Sequence, residues 1–190
     1  QLIKEKLHFP EMRTSNLGKS EVVLVEYADK SKELERADQI SKEVNSFALV
    51  ENVWIRNWDF KPEHVLLDSN GKATIIDLEK SFNADTQASA VLRSPGKTID
   101  EKVLMNIAER NSDVLLTDIT IEDCKEAITL IESLTSKDYL YLKQMAIASG
   151  YSISDAERIV LELQKNAKSL RNDLGKVGVK KQVTNNPFVS

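Results

Sequence analysis

The sequence has few of the residues from which several common kinds of site are built. Its 190 residues include one cysteine, Cys124, and two histidines. An intrachain disulfide is therefore excluded, and no cluster of cysteine and histidine suggests a zinc site. Cys124 lies on an apolar helix face, which predicts a small core residue. A lone cysteine suits a reducing compartment, and we expect a cytoplasmic location.

Excess charge of one sign and long apolar segments are also missing. The formal net charge is −4, so the chain has no basic surface of the kind that nucleic-acid binding requires. No apolar run approaches the length of a membrane span. Hydrophobic residues make up 41% and charged residues 29% of the sequence, which is typical of one globular domain with a sizeable core.

The most informative segment is NWDFKPEHVLLD, which runs from Asn57 to Asp68 and is followed by the sequence IDLE from Ile76. Short apolar runs at 65–67 and 73–76 flank an Asn-Gly pair, which is a strong signal for a type I′ hairpin turn. The pattern therefore predicts a β-hairpin. Folding it brings Asp59, before the first strand, close to Asp77, after the second.

These side chains suit phosphoryl transfer, which depends on positioning and charge neutralisation. A carboxylate accepts the proton of an acceptor hydroxyl, a cation lies near the transferring phosphoryl group, and hard oxygen ligands hold Mg²⁺. Asp59, Lys61 and Asp77 supply these groups. The neutral imidazole of His64 is a further candidate metal ligand.

The same segment resembles the catalytic loop of the protein-kinase-like superfamily, which commonly reads HRDLKPENVLLD. Eight of the twelve positions agree, and Asp77 follows Asp59 by the usual eighteen residues. The resemblance implies ATP as phosphate donor, Asp59 as catalytic base, Lys61 as the catalytic-loop lysine, and Asp77, with His64, as a ligand of Mg²⁺ or Mn²⁺. It also implies adenine-contacting positions at Glu26 and Ala28, in the hinge, and at Leu66.

Three departures separate the chain from an ordinary protein kinase. Asn57 and Trp58 replace the His-Arg pair, which is similar to HipA-type and phosphatidylinositol 4-kinase-like enzymes. His64 replaces the metal-binding asparagine, which is similar to InaA-type lipopolysaccharide kinases. Glu79 stands where the glycine of Asp-Phe-Gly would be. We therefore expect an atypical, bacterial kinase-like protein.

The resemblance predicts an α+β, protein-kinase-like fold, with a mostly helical C-terminal lobe that carries the catalytic-loop hairpin. Residues 1–28 are expected to be a remnant of the N-terminal lobe and hinge, residues 29–175 the C-terminal lobe, and residues 176–190 a flexible tail. The chain starts with Gln1, so we expect a fragment or a processed product. No G-x-G-x-x-G loop is present, so the elements that clamp ATP are expected either on an upstream segment or a second chain, or to be absent altogether.

Local patterns predict five helices. They are a helix over 31–48, a helix from a Thr98–Glu101 capping box to about Arg110, one capped by Thr120, one from Ser136 to Gly150, and one from a Ser154–Glu157 capping box to Gly175. Trp54 is expected in the core, and Trp58 is expected to cover the loop.

Three functions are consistent with these features. The first is an ATP-dependent phosphotransferase that transfers the γ-phosphate to a hydroxyl of a protein, a lipid or a sugar. The second is a catalytically inactive, pseudokinase-like protein-binding module, which His64, Glu79 and the missing glycine-rich loop favour. The third is a helical interaction domain with a coincidental motif, which predicts no ATP binding.

Overall fold

The structure, a computed structural model, describes residues 7–8, 12–17, 20–25, 32–33, 40–67, 73–76, 81, 96–116, 118–148 and 150–181. These residues are mostly helical and include short strands, so the class is α+β. None of the helices in this part of the chain has the length and apolar character needed to cross a membrane.

The described strands form two small sheets. The strands are β1 (Leu7–His8), β2 (Met12–Leu17), β3 (Ser20–Val25), β4 (Lys32–Glu33), β5 (Val65–Leu67) and β6 (Ala73–Ile75). One sheet has the order β1-β6-β5-β4, and β2 pairs with β3 in the other. β5 and β6 are antiparallel, with Val65 opposite Ile75, so the predicted hairpin is confirmed. Its Asn-Gly turn lies outside the described residues.

The helices pack around one long helix. They are α1 (Lys42–Ile55), α2 (Ile99–Arg110), α3 (Ser112–Leu116), α4 (Lys125–Glu132), α5 (Ser136–Ala148) and α6 (Ile153–Val177). α6 contacts α1, α2, α4 and α5. The apolar faces of these helices form one core. Its fully buried side chains include Leu49, Val53, Leu104, Ile107, Ile128, Leu170 and Leu174.

The helix predicted over 31–48 is wrong at both ends. Lys32 and Glu33 pair with β5 as strand β4. Helix α1 begins only after Ser41, whose hydroxyl accepts a hydrogen bond from the Val44 N–H at 3.2 Å. The helix then continues to Ile55. The prediction ended too early because the buried face of the helix includes polar side chains, which obscure the apolar period in the sequence. These side chains are Asn45, Ser46 and Asn52.

The capping box predicted for α2 is confirmed. The Thr98 hydroxyl accepts a hydrogen bond from the Glu101 N–H at 3.2 Å, and a Glu101 carboxylate oxygen accepts one from the Thr98 N–H at 2.8 Å. This reciprocal pair satisfies backbone donors that an isolated helix end leaves free. The helix ends at Arg110, as predicted.

The starts of two other helices are capped one or two residues before their predicted positions. Thr135 accepts a hydrogen bond from the Asp138 N–H and so precedes the predicted cap of α5. At the start of α6, Ser152 performs this role with Asp155, while the predicted cap, Ser154, lies inside the helix. Several hydroxyl and carboxyl residues are neighbours near the start of each helix. The start is where one such pair forms the capping hydrogen bonds.

Residues beyond 175 extend the folded part of the chain, so the predicted start of the tail is too early. α6 runs through Gly175 to Val177. Its C-cap is Gly178, whose φ of 107° suits glycine. Lys180 then forms a parallel bridge with Thr120. Val177 and Val179 are buried, at 1% and 4% exposure, and this burial holds the segment in place.

Thr120 caps the turn that leads into α4 rather than the helix itself. Its hydroxyl and N–H both contact the Asp123 carboxylate at 2.7 Å. The helix begins at Lys125, with Cys124 at its N-cap. Cys124 is fully buried and burial raises the pKa of its thiol to about 12, so it is the core residue that the sequence predicted.

Candidate functional site

The Asn57–His64 loop connects the end of α1 to the first strand of the hairpin. Arg56 adopts a left-handed conformation with a φ of 57°, which stops the helix and turns the chain. The Asn57 N–H donates to the Asn52 carbonyl at 3.0 Å, and the Asn57 side chain donates to the Asn52 side chain at 2.9 Å. A single turn of 3₁₀ helix, Pro62–His64, then leads into β5.

Two asparagines of the α2 region hold the backbone of this loop. The Asn106 side chain donates to the Trp58 carbonyl at 2.5 Å. The Asn111 side chain donates to the Phe60 carbonyl at 2.9 Å. Since the Trp58 and Phe60 side chains are buried, at 5% and 3% exposure, the loop is anchored through both backbone and side chains. Trp58 is thus part of the hydrophobic core and anchors the loop to it.

Asp59 and Lys61 alternate along the loop with these buried residues and remain partly exposed. The Asp59 carboxylate lies 3.0 Å from the Arg110 guanidinium, with side-chain exposures of 20% and 36%. Within the described part of the chain, the Lys61 ammonium has no ion-pair or hydrogen-bond partner. The loop thus presents one carboxylate that is already paired and one cation that is available to an anion.

His64 links the loop to the second strand of the hairpin. The backbone N–H of His64 donates to the Lys61 carbonyl at 3.0 Å, and its backbone carbonyl accepts from the Ile76 N–H at 2.9 Å. This hydrogen bond ties the residue after β6 to the loop. Asp77 itself lies outside the described residues.

The described residues alone do not make the predicted metal site. His64 is the only predicted metal ligand among them, and its side chain is 5% exposed, which does not suit a hydrated Mg²⁺. No group of three candidate ligand side chains occurs within the described ranges. The metal-binding roles of His64 and Asp77 therefore stay predictions.

Of the three positions expected to contact adenine, only Leu66 lies in the described part. It is partly buried in β5 and opposes Glu33 in β4. Glu26 and Ala28 follow the end of β3 at Val25 and lie outside the described residues. These three roles stay predictions.

Sequence reasoning missed a buried cluster of charges directly before the loop. The Arg56 side chain is 6% exposed and bonds three helices: it donates to the Val53 carbonyl at 2.5 Å, to Asp100 at 2.7 Å and to Asp173 at 2.7 Å. The partners are 44 and 117 residues away in sequence, so no local pattern indicates the cluster. We call it the Arg56 cluster.

Asp173 is the most deeply buried member of the Arg56 cluster, with 1% exposure. Burial alone would raise the pKa of its carboxyl, but hydrogen bonds from Ser169, Arg56 and Lys176 outweigh this effect and leave the pKa below its usual value. The ionised carboxylate therefore anchors Arg56, the residue that sets the direction of the loop.

Several buried polar atoms in or beside the loop have no hydrogen-bond partner among the residues that the structure describes. They are the indole nitrogen of Trp58, one carboxylate oxygen of Glu63 and the amide oxygen of Asn111. Such atoms are rare in protein interiors because each costs free energy to desolvate.

Comparisons of the chain with protein-family models, with curated proteins and with solved structures gave no match.

Proposed function

We propose that the chain is an ATP-dependent phosphotransferase of the protein-kinase-like kind, with the Asn57–His64 loop as its catalytic loop. Asp59 accepts the proton of an acceptor hydroxyl as that oxygen attacks the γ-phosphorus of ATP. Lys61 neutralises charge on the transferred phosphoryl group, and ADP leaves. The acceptor is a hydroxyl of a protein, a lipid or a sugar.

One observation carries this proposal: a helix, an anchored loop and a short antiparallel hairpin follow one another in the order that the sequence motif requires. The loop presents Asp59 and Lys61 from a backbone held by Asn106 and Asn111. Catalysis of phosphoryl transfer depends on such fixed placement, because the protein contributes positioning more than covalent chemistry.

The proposal includes a metal and further protein elements. Mg²⁺ or Mn²⁺ would neutralise the phosphates of ATP, with Asp77 and His64 as its predicted ligands. An upstream segment or a second chain would cover the phosphates, since the sequence has no glycine-rich loop. A cytoplasmic location, where ATP is available, belongs to the same proposal.

A second function, a pseudokinase-like binding module without catalysis, is favoured by two specific observations. The Asp59 carboxylate is paired with Arg110 at 3.0 Å, so the proposed base is already engaged. The side chain of His64 is buried, so it is poorly placed for a hydrated cation. In this alternative the loop is a structural remnant, and the helices serve as a partner surface.

The deciding experiment measures metal-dependent ATP binding by calorimetry and transfer of labelled γ-phosphate to the chain itself or to acceptor extracts. We expect Asp59→Asn to reduce transfer by at least about a hundredfold while ATP binding persists, because general-base catalysis contributes about that much. Asp113→Asn, the same change at an exposed site on α3, is the matched control. Transfer that is equal in wild type and Asp59→Asn would refute the catalytic role.

The alternative predicts a different pattern in the same assay. A binding module shows no transfer by the wild type with either Mg²⁺ or Mn²⁺, whether or not ATP binds. Arg110→Gln sharpens the distinction because it releases the Asp59 carboxylate. In a phosphotransferase this variant changes kcat and leaves the ATP affinity unchanged, whereas in a binding module it produces no transfer.

A further inference from the structure

Helix α5 buries very little of its own surface. Tyr139 is the one buried residue among its thirteen. Four large apolar side chains of the helix are exposed by 38–55%: Leu140, Tyr141, Met145 and Ile147. A surface helix normally places charged residues at such positions, so this surface resembles one that another molecule covers.

The exposed residues occupy one continuous side of the helix. At 100° per residue, Ile147, Leu140, Tyr141 and Met145 span the side opposite Tyr139, which packs toward α6. Only Lys137 and Gln144 add polar side chains there. Tyr151 and Ile153, exposed by 48% and 63%, are the next exposed large apolar residues in the sequence, in the turn after α5 and at the start of α6. We call this side, from residue 137 to residue 153, the outer face of α5.

We propose that the outer face of α5 binds the same face of a second copy of this chain, with the two α5 helices antiparallel about a twofold axis near Gln144. With α6 of each copy behind, the contact forms a four-helix bundle. This inference does not depend on the proposed function.

The antiparallel register matches apolar residues with apolar residues. When Gln144 lies opposite Gln144 of the partner subunit, Leu140 faces Ala148 of the partner subunit. Tyr141 and Met145 lie on one edge of the contact and Leu140 and Ile147 on the other, so the twofold axis brings each apolar edge against the same apolar edge of the second copy. The side-chain amide of Gln144 at the centre can form a hydrogen bond with Gln144 of the partner subunit, since a glutamine side chain both donates and accepts.

Charge favours the same arrangement. Lys137 lies in the first turn of α5, where a cation is unfavourable, and its side chain is exposed. The last turn of α5 contains no basic residue to offset its carbonyl end. Antiparallel pairing places Lys137 of each copy beside the carbonyl end of α5 in the other. One cation per face is too few for an anionic membrane or nucleic acid.

The exposed area is of the size that a dimer needs. About half of each of the six apolar side chains is exposed, which corresponds to on the order of 600 Å² of apolar surface. A stable interface typically takes about 800 Å² from each partner. Ala148, Gln144 and the aliphatic part of Lys137 lie within the same face and contribute to the difference.

Sedimentation equilibrium of the whole chain tests the proposal. We expect a mass twice that of the monomer at micromolar concentrations, and a dissociation constant at least about a hundredfold higher in Leu140→Glu, because two charges would enter the apolar centre. Met105→Glu is the matched control, since Met105 on α2 is 47% exposed and lies outside this face. Circular dichroism checks that each variant folds.

Cross-linking tests the register independently. Cys124 is fully buried, so a cysteine introduced at Gln144 would be the only reactive thiol among the described residues. We expect a short bis-maleimide to link two copies of Gln144→Cys and to leave Glu109→Cys monomeric. A monomeric wild type at all concentrations overturns the proposal, as does a dimer that Leu140→Glu does not weaken. Binding of a different protein to a monomeric chain would likewise assign the face to another partner.

Discussion

Glu51, in the middle of α1, is a carboxyl group whose environment makes stability depend on pH. Burial raises its pKa to about 8 from an ordinary value of 4.5, and one of its oxygens is buried with no hydrogen-bond partner in the described part of the chain. Between these two values the folded protein holds a proton that the unfolded chain has lost. The free energy of unfolding therefore falls as the pH rises, by about 1 kcal/mol per pH unit.

Glu51→Gln should remove this dependence, because an amide does not titrate. We expect chemical denaturation to give a flatter profile for the variant between about pH 5 and pH 8, and greater stability than the wild type at the upper end. Glu109→Gln makes the same change at an exposed site on α2 and should leave the slope intact. Equal slopes for wild type and Glu51→Gln would show that Glu51 is ionised in the folded protein.

Asn111 tests whether the loop depends on a single side chain. Its amide donates to the carbonyls of Phe60 and Ile107 at 2.9 and 2.8 Å from a fully buried position. We expect Asn111→Ala to cost about 1–3 kcal/mol, because it leaves the Phe60 carbonyl without this donor. Amide hydrogen exchange of the Asn57–His64 loop should accelerate in the variant.

The matched control for Asn111 is Asn166, which is also buried and donates to the Trp54 carbonyl at 2.9 Å. Asn166→Ala should destabilise the protein by a similar amount and leave exchange in the loop unchanged relative to global unfolding. If both variants affect the loop equally, the loop follows global stability and Asn111 has no specific role in positioning it.

At the scale of elements, the Arg56 cluster joins three helices directly before the loop. Arg56→Met removes the cation and leaves Asp173 charged at 1% exposure. We expect a loss of about 3–5 kcal/mol, because the buried Asp173 carboxylate keeps Ser169 and Lys176 but loses its buried guanidinium partner. The double variant Arg56→Met with Asp173→Leu should recover much of the loss, since it removes both charges.

The surface pair Arg171–Glu132 provides the comparison. Its side chains bond at 2.7 and 2.8 Å, but they are 51% and 38% exposed. Arg171→Met should therefore cost no more than about 1 kcal/mol in urea denaturation. A similar cost for Arg56→Met would mean that water reaches the cluster. Failure of the double variant to recover stability would mean that Asp173 has other essential partners.

Local patterns predicted the elements whose signals are complete within a few residues. The hairpin of β5 and β6 and the capping box of Thr98 and Glu101 were both predicted correctly. The end of α1 was not, because Asn52 bonds the Ala48 carbonyl and the Asn57 side chain, so a polar residue fills a core position. Long-range partners decide such positions, and a single sequence does not show them.

The same limit applies to the candidate site. The motif placed Asp59 and Lys61 together on one loop, as the structure has them. It gave no indication that Arg110 lies beside Asp59. Arg110 is the last residue of α2, and the contact depends on how α2 packs against the loop. The motif supplies the reactive side chains, Asp59 and Lys61. The helices that follow it in the sequence determine which of these side chains is paired and which is available.

At the scale of the whole molecule, the last residues of α6 and the segment after it close the helical core. The Lys180 N–H donates to the Ile119 carbonyl at 3.0 Å, and its carbonyl accepts from the Ile121 N–H at 2.9 Å. Val177 and Val179 are buried at either side of Gly178. The segment therefore ties the end of the longest helix to the turn before α4.

A pair of shortened chains measures this contribution. A chain that ends at Lys181 retains the bridge, whereas one that ends at Gly175 loses two buried valines and the backbone hydrogen bonds. We expect the shorter chain to be less stable by about 3–5 kcal/mol, from about 1.5 kcal/mol or more per valine and about 1 kcal/mol per hydrogen bond. Equal unfolding midpoints for the two chains would restore the boundary at residue 175 that the sequence predicted. A large difference would place the folded boundary at or beyond residue 181, because the bridge and both valines then contribute to one cooperative unit.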